Sequence, residues 1–234
     1  IAVAYAQALG LEIDDLPFLQ QVQRQEIETL RQRIEGVTSP RLTSCMESLM
    51  EAVASLIGIR NDATYESQAA IEMEVLARPF VSSVRSYPFV MEANERERVI
   101  RLKDLLAAII EDIRSGRSVE MIAARFHKTV ADLAVDACRR ARRSADLNEV
   151  VLSGEVWQNQ ILLDLVRKEL KRDGFTVYTH CQVPTNDSGL ALGQAVVANY
   201  SSGIGELLSP QGYAPITRDD QPSGEKVSRK NIAR

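Results

Sequence analysis

The sequence of 234 residues has 45% hydrophobic and 26% charged residues, and its formal net charge is −4. This composition is typical of a folded globular domain and excludes collagen-like, mucin-like and wholly disordered proteins. The uncharged apolar runs, such as residues 105–110, are far shorter than the roughly 20 residues of a membrane span. Because the net charge is negative, no global basic field for nucleic acid exists. We therefore expect neither membrane nor nucleic acid as a partner.

Three cysteines, Cys45, Cys138 and Cys181, are widely spaced, and the only two histidines are His127 and His180. The absence of a C-x-x-C pair argues against a zinc cage built from cysteine and histidine. Three reduced thiols are typical of a cytoplasmic protein, because the cytosol keeps thiols reduced. Neither histidine belongs to a recognisable triad with Ser, Cys or Asp. We predict that both are structural residues with hydrogen-bonded rings.

The first part of the chain is predicted to be helical. Apolar residues at steps of three and four predict a helix over residues 1–35. Thr43 or Ser44 is predicted to cap a second helix that ends near Gly58, with Glu47 placed to close a capping box.

The middle of the chain continues with a third helix over about 65–77 and a predicted β-hairpin over 84–101. A helix over residues 105–113 precedes another that Ser118 caps. Residues 118–143 resemble a helix-turn-helix in which residues 127–129 would form the turn, so a DNA-binding protein is one alternative. The missing turn glycine and the Ala, Val and Leu side chains of the second helix favour a packed helix instead.

The last part of the chain alternates between strands and helices. Residues 149–153 (EVVLS) predict a buried strand, followed by a helix over about 158–172. Residues 175–179 (FTVYT) predict a second strand, and a helix over about 190–200 follows. This order predicts a parallel sheet flanked by helices.

Composition also suggests where the domain ends. We assign residues 1–205 to one domain and residues 206–234, rich in Ser, Gly, Pro and charge, to a flexible tail. The sequence begins at Ile1, without Met, inside an apolar stretch that lacks the features of a signal peptide. We therefore expect the chain to be a fragment of a longer protein.

Two loops at the edge of the predicted sheet are candidate ligand sites. Gly154 directly follows a buried strand, so a ligand can approach its backbone, and the next helix start offers N–H groups to a phosphate. Asn159, one turn later, is placed to bind a nucleotide. Asp187 lies in the loop PTNDSG, where it can bind a metal or orient a phosphate. The structural alternatives are a tight turn at Gly154 and an Asx turn or helix cap at Asp187.

Four segments, in order over roughly residues 1–200, resemble one family, the HypF-type carbamoyltransferases. SPRLTSCMESLMEAVASLIG is similar to their SPLTSSMGRLFDAVAALLG, and TYESQAAIEME to TYEGQAAIELE. AARFHKTVADL is similar to AARFHNTLADL. VVLSGEVWQNQILL and VPTNDSGLALGQA are similar to LSGGVFQNRLL and VPxNDGGLALGQA.

The resemblance implies the C-terminal, TsaD-like domain of these proteins, with the α/β fold of actin, Hsp70 and sugar kinases (ribonuclease H-like). This chain would be half of that domain, with a helical N-terminal segment. The resemblance implies that carbamoyl phosphate and ATP give a carbamoyl adenylate. The carbamoyl group then passes to the C-terminal Cys of the acceptor HypE, in the cytoplasmic maturation of [NiFe]-hydrogenases. A divalent metal, Zn or Fe, is also implied, with a histidine pair upstream of Ile1 as ligands.

The resemblance also implies site residues. The phosphate-contacting Gly-Gly of the family corresponds to Gly154 and Glu155, and its Asn corresponds to Asn159. The acidic residue expected near the ribose corresponds to Glu51, and the aspartate expected on the metal to Asp187.

The sequence departs from the family pattern at four glycines, one of which, in NDGG, corresponds to Ser188. Glu155 replaces the second Gly of Gly-Gly, Glu47 the Gly of GRLFD, and Ser67 the Gly of YEGQAA. An anion at position 155 beside phosphates disfavours nucleotide binding. Two functions follow. One is a fragment of an ATP-dependent carbamoyltransferase, inactive by itself, and the other is a degenerate HypF-like binding module without catalysis.

Overall fold

The structure, a computed structural model, describes residues 1–36, 44–93 and 98–201. The chain divides into two units, Ile1–Gly189 and Leu190–Arg234. Of the second unit the structure describes helix α8 (Leu190–Ser201). The predicted tail, residues 206–234, lies outside the described residues.

The first unit contains seven described helices and two pairs of strands. The helices are α1 (Ala2–Leu9), α2 (Arg24–Glu35), α3 (Met46–Leu56), α4 (Gln68–Ala77), α5 (Lys103–Arg114), α6 (Val119–Ala145) and α7 (Gln160–Arg172). The strands are β1 (Val90–Ala93), β2 (Arg98–Arg101), β3 (Glu149–Leu152) and β4 (Thr176–Thr179). Short 3-10 turns lie at Pro17–Gln21, Glu155–Gln158 and Asp187–Gly189. Strands β1 and β2 pair antiparallel, which confirms the predicted hairpin.

The N-terminal segment is not the single helix that the apolar spacing predicts. Helix α1 ends at Gly10, whose left-handed backbone (φ 63°) closes the helix end. Pro17 then starts a 3-10 turn, and α2 begins after Gln23. Apolar spacing carries no information on where a glycine turns the backbone, so the prediction over residues 1–35 was wrong.

The start of α3 also differs from the prediction. The N-cap residue is Cys45, without a side-chain cap hydrogen bond, so the capping box is not formed. The carboxylate of Glu47 accepts a hydrogen bond from the Ser67 hydroxyl instead. Thr43 lies outside the described residues.

Helix α6 is one continuous helix of 27 residues, and residues 127–129 lie in its interior. The helix-turn-helix interpretation is therefore wrong, because no turn exists where the motif requires one. The Oγ of Ser118 accepts a hydrogen bond from the Met121 N–H at 3.4 Å, which confirms the predicted cap. The apolar stripe of α6, including Phe126 and Val130, is buried against α4 and α7.

A polar network ties α5 to α6 inside the core. The Asp112 carboxylate accepts hydrogen bonds from the Tyr87 hydroxyl at 2.7 Å and from Arg125 at 2.5 Å, and Arg117 lies at 2.9 Å. Burial and the Asp112 carboxylate raise the pKa of Tyr87 above its usual range. Two guanidinium groups share the Asp112 carboxylate, so this buried charge is not left without a partner.

Strands β3 and β4 pair in parallel, with Val150 opposite Val177 and Leu152 opposite Thr179. Helix α7 makes the connection between them, which confirms the predicted strand–helix–strand unit. The residues that follow the two strands, Ser153 and His180, therefore meet at one edge of the sheet. No helix within the described ranges is long and apolar enough to cross a bilayer.

Candidate functional site

The turn after β3 is built on Gly154. Its φ of 103° and ψ of 163° belong to a region that is essentially restricted to glycine. The Gly154 N–H donates a hydrogen bond to the Thr185 carbonyl at 3.2 Å, and the Thr185 hydroxyl donates to the Gly154 carbonyl at 2.8 Å. These two bonds bring together the two loops that the sequence singles out.

Asn159 fixes the other end of this turn. Its Oδ1 accepts a hydrogen bond from the Leu162 N–H at 3.0 Å and so caps α7. Its Nδ2 therefore faces His127 Nε2, at 3.0 Å, while His127 Nδ1 lies 2.8 Å from the Ala123 carbonyl. Both polar atoms of the Asn159 side chain are thus used inside the protein.

His127 is fully buried at the centre of this network. Burial lowers the pKa of His127 to about 4, so the ring is neutral at pH 7. A neutral ring that donates from Nδ1 to Ala123 accepts at Nε2 from Asn159. The prediction that His127 is structural is confirmed.

A groove of about 190 Å³ lies between α3, α4 and the 155–158 turn. Its lining includes three carboxylates, Glu47, Glu74 and Glu155, together with the apolar side chains of Met50 and Ile71. Of the carboxylates, Glu74 is paired with Arg78 at 2.8 Å. Across the described part of the chain, neither Glu47 nor Glu155 has such an ion pair. The groove is therefore acidic.

Ser67 lies between the two unpaired carboxylates. Its hydroxyl donates a hydrogen bond to Glu47 and lies 3.4 Å from Glu155 Oε1. The Ser67 backbone is left-handed (φ 60°), a conformation that suits glycine better than serine. Glu47, Ser67 and Glu155 are three of the four positions at which this chain replaces a glycine of the family pattern. Their side chains meet in one groove although they are 20 and 88 residues apart.

The electrostatics of the groove reflect this arrangement. Partial burial, and then the charges of Glu47 and Glu66, raise the pKa of Glu155 above its usual range. Partial burial and Glu47 likewise raise the pKa of Glu51. A phosphate in the groove would meet anionic side chains rather than cations, which opposes its binding.

The remaining predicted site residues lie around this groove. Glu51 is one helical turn beyond Glu47 in α3 and is not among the residues that line the groove. Asp187 is exposed at the start of the 187–189 turn, and its charge contributes to the raised pKa of Glu155. The Asx turn of this loop is made by Asn186, whose Oδ1 accepts from the Ser188 N–H at 3.2 Å.

The predicted metal role of Asp187 has one test in the geometry. Within the described ranges, no three His, Cys, Asp or Glu side chains are grouped so as to hold a metal ion. The nucleotide role of Glu51, Gly154, Glu155 and Asn159 and the metal role of Asp187 stay predictions.

A second cavity, of about 630 Å³, shares Gln158 with the groove. Among the described residues its lining contains no Asp, Glu, Lys or Arg, and it includes Trp157, Gln160 and Leu163. His180 also lines it, and His180 Nε2 lies 2.8 Å from Ser153 Oγ. Unlike His127, His180 is exposed, although its ring has the hydrogen-bond partner that the sequence analysis predicts.

Sequence reasoning missed the pair of Ser153 and His180 because the two residues are 27 positions apart. The signal was present in the predicted strands. Ser153 ends the predicted strand EVVLS and His180 directly follows FTVYT, and parallel strands place such residues at the same sheet edge. Only the register, Leu152 opposite Thr179, makes the two side chains neighbours.

Comparisons with known proteins agree on one family. Residues 1–194 match the family described as "Carbamoyltransferase, Kae1-like Domain, second subdomain". The carbamoyltransferase HypF of Synechocystis sp. is 30% identical over 167 residues, which are 71% of this chain and 21% of that protein. The chain thus spans about a fifth of the length of this relative.

Two solved structures have the same fold. The crystal structure of full-length HypF in the phosphate- and nucleotide-bound form is 32% identical, with a TM-score of 0.74 over 86% of this chain and 25% of that chain. The crystal structure of T. kodakarensis HypF is 21% identical, with a TM-score of 0.65 over 86% of this chain and 27% of that chain. The predicted fold class, related to actin, Hsp70 and sugar kinases, is confirmed. The chain belongs to the HypF carbamoyltransferase family, in which it matches the second subdomain of the Kae1-like domain.

Proposed function

We propose that this chain is part of an ATP-dependent carbamoyltransferase that acts in the cytoplasm in [NiFe]-hydrogenase maturation. Carbamoyl phosphate and ATP give a carbamoyl adenylate, and the carbamoyl group passes to the C-terminal cysteine of a HypE-type acceptor protein. The observation that carries this proposal is the family match over residues 1–194. Because the chain spans about a fifth of its relatives' length, we expect it to be inactive alone.

The nucleotide is proposed to lie between α3 and the Gly154 turn. A Cβ added at Gly154 would meet no atom within 4 Å, so a ligand can approach the backbone there. Asn159 supports the site by fixing the turn through α7 and His127. Glu51 would reach the ribose from one turn along α3.

A metal is proposed to be held in part by Asp187, whose exposed carboxylate offers a hard oxygen ligand. The other ligands would come from residues outside this chain. Such a metal would supply Lewis-acid polarisation of a phosphate or carbamoyl oxygen.

The second candidate function is a HypF-like binding module without catalysis. It is favoured by the contact of Ser67 with Glu47 and Glu155, because these two carboxylates make the groove acidic. Under either function we expect this chain alone to bind ATP weakly or not at all.

Calorimetry on the complete protein separates the two candidates. Removing the anion with Glu155→Gly should tighten ATP binding by tenfold or more, which is about 1.4 kcal/mol. The matched control is Gln158→Gly, which changes an uncharged residue of the same turn and should leave the affinity within about twofold. A tighter affinity for Glu155→Gly supports the binding module, in which Glu155 obstructs the nucleotide. An unchanged affinity would show that Glu155 does not obstruct the nucleotide and would remove the support for the binding module.

A further inference from the structure

We propose that Ser153 and His180 form a catalytic pair, in which the serine hydroxyl accepts an acyl or carbamoyl group from a small, uncharged activated ester. The pair lies beside the uncharged cavity and not in the acidic groove. The inference goes beyond the function proposed above and does not depend on nucleotide binding.

The backbone holds the two side chains in place. Ser153 follows β3 and His180 follows β4, and the parallel register pairs the preceding residues, Leu152 and Thr179. The resulting distance between Ser153 Oγ and His180 Nε2, 2.8 Å, is within the range of a nucleophile and its general base. Both residues are exposed, so a substrate can reach the hydroxyl.

The surroundings select the kind of substrate. The adjoining cavity is lined by amide and hydroxyl side chains, among them Gln158, Gln182 and Asn186, and by the apolar Trp157 and Leu163. Such a lining offers hydrogen bonds to a carbonyl or amide group but no cation for a phosphate. A small uncharged ester fits this chemistry better than a nucleotide does.

The proposed step balances without an oxidant or reductant. With Nε2 unprotonated, Ser153 Oγ attacks the carbonyl carbon and its proton moves to His180 Nε2. The bond from the carbonyl carbon to the leaving group breaks, and the leaving alkoxide or phenoxide takes the proton back from the imidazolium. Water then attacks the serine ester by the same route and releases the carboxylic or carbamic acid.

The test measures acetylation of the full chain by p-nitrophenyl acetate, with release of p-nitrophenol followed by absorbance and the labelled residue mapped by mass spectrometry. All variants carry Cys181→Ala, which removes the neighbouring thiol. We expect the label on Ser153, none at that position in Ser153→Ala, and labelling at least tenfold slower in His180→Ala. Ser144→Ala, an exposed serine at the end of α6, is the matched control and should label Ser153 at the unchanged rate.

Chemical rescue distinguishes catalysis from a structural role. Imidazole added to His180→Ala should restore at least half of the lost rate, since free imidazole can take the place of the missing ring. Unfolding curves of His180→Ala and of His180→Gln show whether either variant remains folded. The proposal is overturned if Ser153 is not labelled, or if a folded His180 variant labels Ser153 at the original rate. It is also overturned if imidazole does not restore the rate.

Discussion

The two cavities that share Gln158 differ in charge. The groove beside α3 and α4 contains Glu47 and Glu155 without cationic partners in the described chain, whereas the cavity beside Ser153 and His180 contains no charged side chain. The Glu155–Gln158 turn contributes to both linings. The difference in charge therefore comes from the side chains that line each cavity and not from the backbone of the turn.

This contrast shows how a preserved backbone can carry an altered site. Gly154 keeps the open conformation of a ligand-approach turn, and Asn159 anchors the turn through His127. Side chains from α3 and the start of α4, Glu47 and Ser67, nevertheless meet Glu155 in the groove. The backbone of the turn can thus be kept while the charge of the groove beside it changes.

The largest expected effect on stability comes from lowering the pH. Protonation of His127 Nε2 removes the acceptor of the Asn159 hydrogen bond that fixes the turn shared by both cavities. The pKa of His127 is lowered to about 4, against about 6.5 for an unfolded histidine. Between these values the unfolded chain binds more protons, so stability falls as the pH drops through this window. The loss should reach roughly 3 kcal/mol at pH 4.

The measurement is the free energy of unfolding in urea between pH 7 and pH 4, for the natural chain and for His127→Gln. Gln does not titrate, so we expect the stability gap between the two proteins to shrink by roughly 3 kcal/mol as the pH falls. Carboxylates titrate in both proteins and cancel in the comparison. A gap that stays constant with pH would mean that His127 is not buried as the structure has it.

The second prediction removes the anchor itself. Asn159→Ala deletes the cap of α7 and leaves His127 Nε2 without its hydrogen-bond donor inside the core. We expect a loss of about 2–3 kcal/mol in urea unfolding, about 1 from the cap and the rest from the unsatisfied ring nitrogen. Gln158→Ala, the exposed preceding residue, should lose less than about 0.5 kcal/mol. Equal losses would contradict the assigned network.

The sequence predicted those parts of the fold in which neighbouring residues decide the structure. The strands EVVLS and FTVYT with a helix between them have few alternatives to a parallel pair, and Ser118 caps α6 as predicted. The prediction for the N-terminal segment failed because Gly10 turns left-handed. The helix-turn-helix interpretation failed because α6 is continuous through residues 127–129, where His127 and Thr129 are buried.

The candidate site was predictable in composition but not in geometry. The sequence marks Glu47, Ser67 and Glu155 as separate departures from a family pattern, with no indication that they touch. Their contact depends on how α3 and α4 pack against the 155–158 turn, which no local pattern encodes. The pair of Ser153 and His180 likewise depends on strand register.

The third prediction concerns Ser67, which lines the acidic groove and has a left-handed backbone. Ser67→Gly and Ser67→Ala both remove the hydroxyl, so their difference isolates the backbone. We expect Ser67→Gly to be more stable than Ser67→Ala by about 0.5–1 kcal/mol. The left-handed backbone strains alanine by about 1–2 kcal/mol, and the greater flexibility of glycine in the unfolded chain offsets part of this difference. At Ser144, in helix α6, the same pair of substitutions should have the opposite order, since Ala favours a helix over Gly by about 1 kcal/mol.

The smallest expected effect tests whether the two unpaired carboxylates of the groove repel each other. Glu47→Gln, Glu155→Gln and the double variant form a cycle, measured by urea unfolding at pH 7. Either single change removes the repulsion, so each should raise stability. The double variant should gain less than the sum, with a coupling of about 0.5 kcal/mol between half-exposed groups. High salt should shrink the coupling, because ions screen exposed charges.

A cycle of Glu155→Gln with Glu28→Gln, an exposed residue of α2, is the control and should be additive. Additive effects for Glu47 and Glu155 as well would show that the two carboxylates do not interact, and that burial and the other nearby carboxylates raise the pKa of Glu155. The effect of Glu155 on ATP binding would then come from the space that its side chain occupies and not from its charge. Glu155→Gly would improve ATP binding by making room. A coupling that salt removes instead assigns the difference to charge, and Glu155→Gln should then recover part of the affinity gained by Glu155→Gly.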